Sequence, residues 1–412
     1  MQLSDFDQAV LQGESGGAAR LAMELLVAVG EAEGAPELLD IVGAHIDGGL
    51  YHGRAGLDFA RSLADGGGRV AVPTTLNVSS LDLLHPDLYR GDAEVAASAK
   101  QLMDAYVEMG CFPSWTCAPY QLAGRPGLGD QIAWGESNAI VFANSVLGAR
   151  TGRYGDFLDI CCAITGRAPA IGLHTDEGRR ARLRIDLDFP SQLLDDDLVY
   201  PVLGHVIGQC AGTEVAVIVG LDERASEDRL KALGAAAASS GTVAMFHAVG
   251  VTAEASTLDE ATGGQEPERH VRIGVEDLSQ ARASLNQSGG PLGAVSIGTP
   301  HFSVGELDEL ARMVEGRSTT VPFYVNTSRD AMAKAEQSGS LRVIEEFGAT
   351  IVTDTCTYIT PIMGDVEGVV MTNSVKWAFY APGNLGMEVA LAGLEACVVS
   401  AMSGEVSLGE QW

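Results

Sequence analysis

Basic charge is scarce in this 412-residue chain: 26 Lys and Arg stand against 55 Asp and Glu, a net charge of −29, and the lysines are only Lys100, Lys231, Lys334 and Lys376. A field of that sign repels polyanions, so no nucleic acid and no anionic membrane surface is expected as a partner. No run of about 18 apolar residues occurs, so no membrane-spanning helix is expected. The N-terminus, MQLSDFDQAV, lacks a basic stretch followed by an apolar one, which points to a cytoplasmic location. Glycine is plentiful, at 50 residues, yet no GxGxxG leads from a strand into a helix and no GxxxxGK[ST] is present, leaving nucleotide binding by either device unsupported. Cysteine is sparse as well. The seven at 111, 117, 161, 162, 210, 356 and 397 make no secreted disulfide framework and fit no CxxC-type zinc spacing.

Scarcity makes some of what remains informative. Lys376, set in the apolar and aromatic stretch SVKWAFY, is a candidate anion-binding or proton-transfer group. Cys210 and Cys397 read as small core residues. Cys117, in WTCAPY, and Cys356, in DTCT, lie in turn-like contexts able to present a thiolate to a metal.

At 46% hydrophobic the chain can bury a large core and is long enough for two or three domains. From about Leu38 onward, short β-rich runs (LLDIVGAHI, GRVAVP, TEVAVIVGL, TVAMFHAV, AVSIGTP, TVPFYVN) alternate with helical ones (GLDFARSLAD, ASAKQLMDAYVEMG, DRLKALGAAAASSG, VGELDELARMVEG). That alternation predicts α/β units with parallel sheets flanked by helices. We place an N-terminal region at 1–190 and a C-terminal region at 191–412; the polar stretch Asp259 to Glu268 and the acidic stretch Leu187 to Asp197 are the candidate breaks. Sites in such sheets lie beyond the strands' C-terminal ends. GGLYHG, TTLNVSS, TPHFS and DTCTY all follow a predicted strand and could converge on one cleft.

The densest concentration of chemistry is Ala133 to Pro169. There Glu136, Ser137, Asn138, Asn144, Ser145 and Arg150 interrupt the apolar residues Ile140, Val141, Phe142, Val146 and Leu147. Such groups are costly to bury unpaired. Either backbone carbonyls satisfy them within an ordinary buried helix, or they serve a substrate.

This segment resembles the aconitase X family. The resemblance continues through HIDGGLYHGRAGLDFA (from His45), VPTTLNVSSLDLL (from Val72), WTCAPYQ (from Trp115), GTPHFS (from Gly298), DTCTYITPI (from Asp354) and MTNSVKWAFYAPGNLG (from Met371), from one end of the chain to the other. It implies an aconitase-like multidomain α/β fold and a hydro-lyase that uses an iron–sulfur cluster, [2Fe–2S] or a three- or four-iron type, as Lewis acid. It places cluster ligands at Cys117 and Cys356. The third position departs from the pattern: where one branch of the family has Gly-Cys-Pro-His, this chain reads Gly298-Thr299-Pro300-His301, and a hydroxyl is a poor ligand for a soft iron–sulfide centre. Cys161 or Cys162 is the first substitute, His301 ranks after it, and loss of the cluster is a third outcome.

The same resemblance puts substrate contacts at Gly53, Arg54, Gly56, Asn77, Val78, Glu136, Ser137 and Lys376, with Glu136, Ser137 and Lys376 as catalytic candidates. Glu136 could act as base or hold a substrate amine, and Ser137 is an alternative base. Two substrates are attached to the family, cis-3-hydroxy-L-proline and mevalonate 5-phosphate. The HIDGGLYHGRAGLDF and TTLNVSSLDLLHPDLYRGD blocks, with Thr299, point to the first. A phosphate would call for a basic pocket, and these blocks offer only Arg54, Arg150, Arg153, Arg167 and Lys376. A catalytically silent, cluster-free binding subunit is the alternative from another class. The chain stops at SLGEQW, soon after the Lys376 block, which leaves no room for the family's small swivelling domain and leads us to expect a separate small subunit.

Overall fold

A computed structural model describes every residue except 287–289 and 410–411. The chain forms two compact units: the first comprises residues 1–81 and 92–180, the second residues 82–91 and 181–412.

The first unit holds strands β1 (Leu38–Asp40), β2 (Ala44–Ile46), β3 (Thr74–Leu76), β4 (Ala133–Trp134) and β5 (Arg167–Pro169). The middle three form a parallel sheet in the order β3-β2-β4, while β1 and β5 pair antiparallel. Helix Arg54–Asp65 buries Leu57, Ala60, Leu63 and Ala64, one face at helical spacing, and leaves its charged face to water. Helix Ala93–Glu108 starts at Asp92, whose carboxylate accepts the N–H groups of Glu94 (2.7 Å) and Val95 (3.2 Å). The run GRVAVP, expected as a strand, is an irregular connection that bends at Ala71 and Val72. Val70 and Ala71 give their N–H groups to the carbonyls of Met109 (3.0 Å) and Ala163 (2.8 Å), so the ladder with β2 begins only at Thr74.

The second unit holds β6 (Leu183–Asp188), β7 (Ala216–Val219), β8 (Phe246–Ala248), β9 (Arg269–Gly274), β10 (Leu292–Phe302), β11 (Phe323–Thr327), β12 (Ala349–Val352), β13 (Val369–Thr372) and β14 (Val389–Leu391). They form two parallel sheets, in the orders β8-β7-β6-β9 and β12-β11-β10-β13-β14. The central strand of the larger one, LGAVSIGTPHF, is buried almost throughout, its Ser296, Thr299 and His301 included, which is why it shows no alternation of apolar and exposed polar residues. Neither candidate break is a boundary. Asp259–Glu268 leads into β9, a strand of the same sheet as β8, and Leu187–Asp197 is the end of β6 plus a 3-10 turn, because the division falls after Arg180. Residues 82–91 belong to the second unit through Asp82, whose carboxylate accepts from Thr353 N (2.8 Å) and Thr353 Oγ1 (3.0 Å). Among the described residues, no helix is long and apolar enough to cross a membrane.

Candidate active site

In the first unit Glu136 is the N-cap of helix Ser137–Phe142 and is 4% exposed. Its Oε2 accepts from Ala139 N (2.6 Å) and Asn138 Nδ2 (2.7 Å), and Ser137 Oγ donates to Oε1 (3.2 Å). An acidic cap there satisfies orphan amides and is favoured by the helix dipole. The helix runs on into a π-helical turn, Ala143–Leu147, where Asn144 accepts from Thr151 N (3.0 Å) and Arg179 Nη1 (3.0 Å). Beside Glu136, burial pushes His45 down to about 4 despite the pull of the Glu136 charge, so its imidazole is neutral; Nδ1 lies 2.8 Å from Thr75 Oγ1.

Asn77 is buried, with its Nδ2 on the Asp47 carboxylate, while its Oδ1 has no hydrogen-bond partner among the described residues. Behind them Asp159 is fully buried, and desolvation holds its carboxyl well above the usual range although it accepts from Asp47 N (2.7 Å) and Ile160 N (2.6 Å). Gly135 must be glycine: a Cβ would sit 2.6 Å from Asp159 Oδ2. At Gly53, the N-cap of helix Arg54–Asp65, φ is +133°, and a Cβ there or at Gly56 would meet nothing within 4 Å. That leaves room for a ligand to approach the helix N-terminus. Cys117 follows Trp115, at φ +43°, and Thr116, whose Oγ1 accepts from Ala118 N (3.1 Å).

In the second unit Cys356 sits in a fully buried turn. Asp354, at φ +60°, is held by a forked ion pair from Arg329 (2.6 and 2.5 Å) and accepts from Leu83 N (3.1 Å). Thr355 O faces His301 Nε2 at 3.1 Å. A carbonyl only accepts, so Nε2 carries a hydrogen. The ligand atoms of His301 and Cys356 lie within 4.8 Å of each other. Lys376, on helix Val375–Leu385, is buried and shares a cavity of about 40 Å³ with Lys231, Thr299, Glu306, Asn373 and Ser374. Thr299 Oγ1 has no hydrogen-bond partner among the described residues. Lys231, itself buried, is paired with Asp228 (3.0 Å) and Glu306 and lies 3.5 Å from His301 O. Burial raises Glu306 to about 7 even against the neighbouring ammonium.

Models of the Aconitase X first, second and third domains match residues 1–177, 181–283 and 292–403. The chain belongs to the aconitase X family. A cis-3-hydroxy-L-proline dehydratase of Pseudomonas aeruginosa is 45% identical over 99% of this chain and 71% of that protein, and one of Hypocrea jecorina is 42% identical over 98% and 69%. A phosphomevalonate dehydratase large subunit of Thermococcus kodakarensis is 35% identical over 92% of this chain and 95% of its own. The crystal structure of Thermococcus kodakaraensis aconitase X in its holo-form superposes with a TM-score of 0.88 at 33% identity, covering 97% of this chain and all of that one.

Within this aconitase X chain the residues singled out from sequence fall into groups. Glu136, Ser137 and Asn138 share one helix start, and Asn77 and Val78 follow β3. Arg54 is on the surface, its side chain 78% exposed and paired with Asp58. Cys161 and Cys162 are fully buried in helix Leu158–Thr165, where desolvation, then the Asp159 charge, pushes the Cys161 thiol up to about 12. Sequence reasoning missed Asp354, Arg329, Tyr120 and His45 as site residues. A lone Arg far along the chain carries no signal of its partner, whereas Asp354, two residues before Cys356, and Tyr120, three after Cys117, had a positional hint.

Proposed function

We propose that the chain is the catalytic part of a hydro-lyase acting on cis-3-hydroxy-L-proline and working with a small subunit. The identity of 45% and 42% to two dehydratases of that name, against 35% to the phosphomevalonate enzymes, carries the reading. The basic residues agree with it. Arg167 is consumed by Asp7 (2.9 and 3.2 Å), Asp40 and Leu38 O, and Arg150 pairs with Asp176 (2.6 Å), so neither is placed to take a phosphate. The small subunit is proposed because the chain matches relatives named large subunits over 95% and 98% of their length.

A thiol and an imidazole within 4.8 Å, both buried in the second unit, suit a soft iron centre, and Cys356 and His301 would hold it, with Cys117 proposed as a further ligand from the family resemblance alone. When bound, the iron–sulfur cluster supplies a Lewis acid for the departing hydroxyl. Glu136 takes the proton from the carbon bearing the carboxylate, through Oε1, since Oε2 is occupied by two N–H donors. Ser137 steadies that oxygen, and Lys376 pairs with the substrate carboxylate. Proton and hydroxide leave from adjacent carbons as water, and a double bond forms between them.

The test is iron and acid-labile sulfide content, with turnover of both substrates, on anaerobically purified chain with and without the small subunit. Iron, sulfide and turnover of hydroxyproline are expected. Turnover of mevalonate 5-phosphate alone would reassign the substrate, and a metal-free, inactive complex would overturn the reading in favour of a silent binding subunit.

A further inference from the structure

Asn138 belongs to none of the roles above, yet its amide is fully employed. Nδ2 spends its two hydrogens on Cys117 O (2.6 Å) and Glu136 Oε2 (2.7 Å), while Oδ1 accepts from Tyr120 Oη (2.7 Å). The orientation is fixed by chemistry: turned over, the amide would set its oxygen against a carbonyl and a carboxylate, and both contacts would be repulsive. The ring of Tyr120 stacks on Phe142 of the same helix, with centroids 3.8 Å apart, and Asn138 and Tyr120 are 1% and 2% exposed. One buried side chain therefore holds both the proton-accepting carboxylate and the backbone of a cysteine in the candidate ligand set.

We propose that Asn138 is a positioning residue that couples Glu136 to Cys117, with Tyr120 fixing the amide; the proposal rests on the functional reading above. Between them, Ala139 N and Asn138 Nδ2 stop the carboxylate from rotating, which directs Oε1 to the substrate. The bond to Cys117 O does the same for the thiol. Trp115 holds a left-handed φ just before it, and a backbone held there needs its neighbours to keep it. A displacement at residue 138 thus reaches the base and the iron ligand together.

The experiment uses the iron-loaded full chain with its small subunit. Asn138→Asp keeps the shape but turns an acceptor toward Cys117 O and Glu136. It is expected to lower kcat about 100-fold with KM changed less than about threefold, and to shift the visible and electron paramagnetic resonance spectra of the iron. Tyr120→Phe, which removes one hydroxyl, is expected to change both in the same direction with about a tenfold loss in kcat; it decides the matter if Asn138→Asp does not fold. A lower melting temperature with kcat and spectra unchanged in the folded fraction would overturn the inference alone. Wild-type complex that holds no iron and dehydrates neither substrate would overturn the functional reading and this inference with it.

Discussion

Trp115-Thr116-Cys117 in the first unit and Asp354-Thr355-Cys356 in the second present a cysteine in the same way, with a left-handed residue two places before it and a buried threonine between. Among the described residues, Trp115 and Asp354 are the non-glycine positions with positive φ. What holds the two turns differs. The first is held by neutral groups: the Asn138 amide and the Thr116 hydroxyl, with an uncharged His45 nearby. The second is held by charge: Arg329 on Asp354, and Lys231 on Asp228, with Glu306 as a further hydrogen-bond partner of the ammonium under the His301 carbonyl. Neutral bonds are individually modest but indifferent to the charge state of distant groups. Buried ion pairs tie a loop more firmly but fail heavily when one partner goes.

The largest effect expected from that contrast is Arg329→Met, which strands a buried carboxylate and should cost about 4 kcal/mol in chemical denaturation. A loss of less than about 1 kcal/mol would show that the second turn does not depend on its ion pair. Next comes acid. His45 ordinarily titrates at 6.5 but at about 4 here, so between those values the unfolded chain binds a proton that the folded one refuses, and stability falls as pH drops through that window. The single group contributes roughly 3 kcal/mol. His174, also lowered to about 4 by burial and by Arg179 and Arg150, adds a similar slope, so His45→Gln should remove about half of it in urea titrations from pH 7 to 4.

The charged unit should respond with the opposite sign. Glu306, raised from 4.5 to about 7, keeps its proton in the fold, so its contribution is lost as pH rises through that interval, and Glu306→Gln should flatten the loss. Smaller still, Gly135→Ala should cost about 1–3 kcal/mol by forcing a methyl against Asp159, read as a lowered denaturation midpoint. Arg54→Ala, at an exposed helix pair, should change stability by less than about 0.5 kcal/mol; any larger effect on turnover than on stability would mark Arg54 as touching substrate.

Much of this was legible before any coordinates. A buried helix within Ala133–Pro169 is one of the two readings that stretch supports, and the β-rich run AVSIGTP lies within strand β10. GRVAVP misled because its apolar alternation fits a strand, whereas Val70 and Ala71 bond to carbonyls at Met109 and Ala163 that no local pattern reveals. The ranking of Cys161 or Cys162 ahead of His301 rested on their being thiols inside the family block DICCAITGR. The fold adds that Cys161 and Cys162 lie fully buried in helix Leu158–Thr165, while Thr355 O orients the His301 imidazole beside Cys356.

The sequence by itself determined the family, the α/β alternation and the chemical types at the site, because periodicity and residue chemistry are local and survive in one dimension. The tertiary structure decided which of those groups meet: Asn138 with Cys117, Arg329 with Asp354, Asp82 with Thr353, pairs separated by 21, 25 and 271 positions. Such pairings follow from loop closure and packing, and the free energy that selects them is shared across the whole core, so no short stretch of sequence carries it.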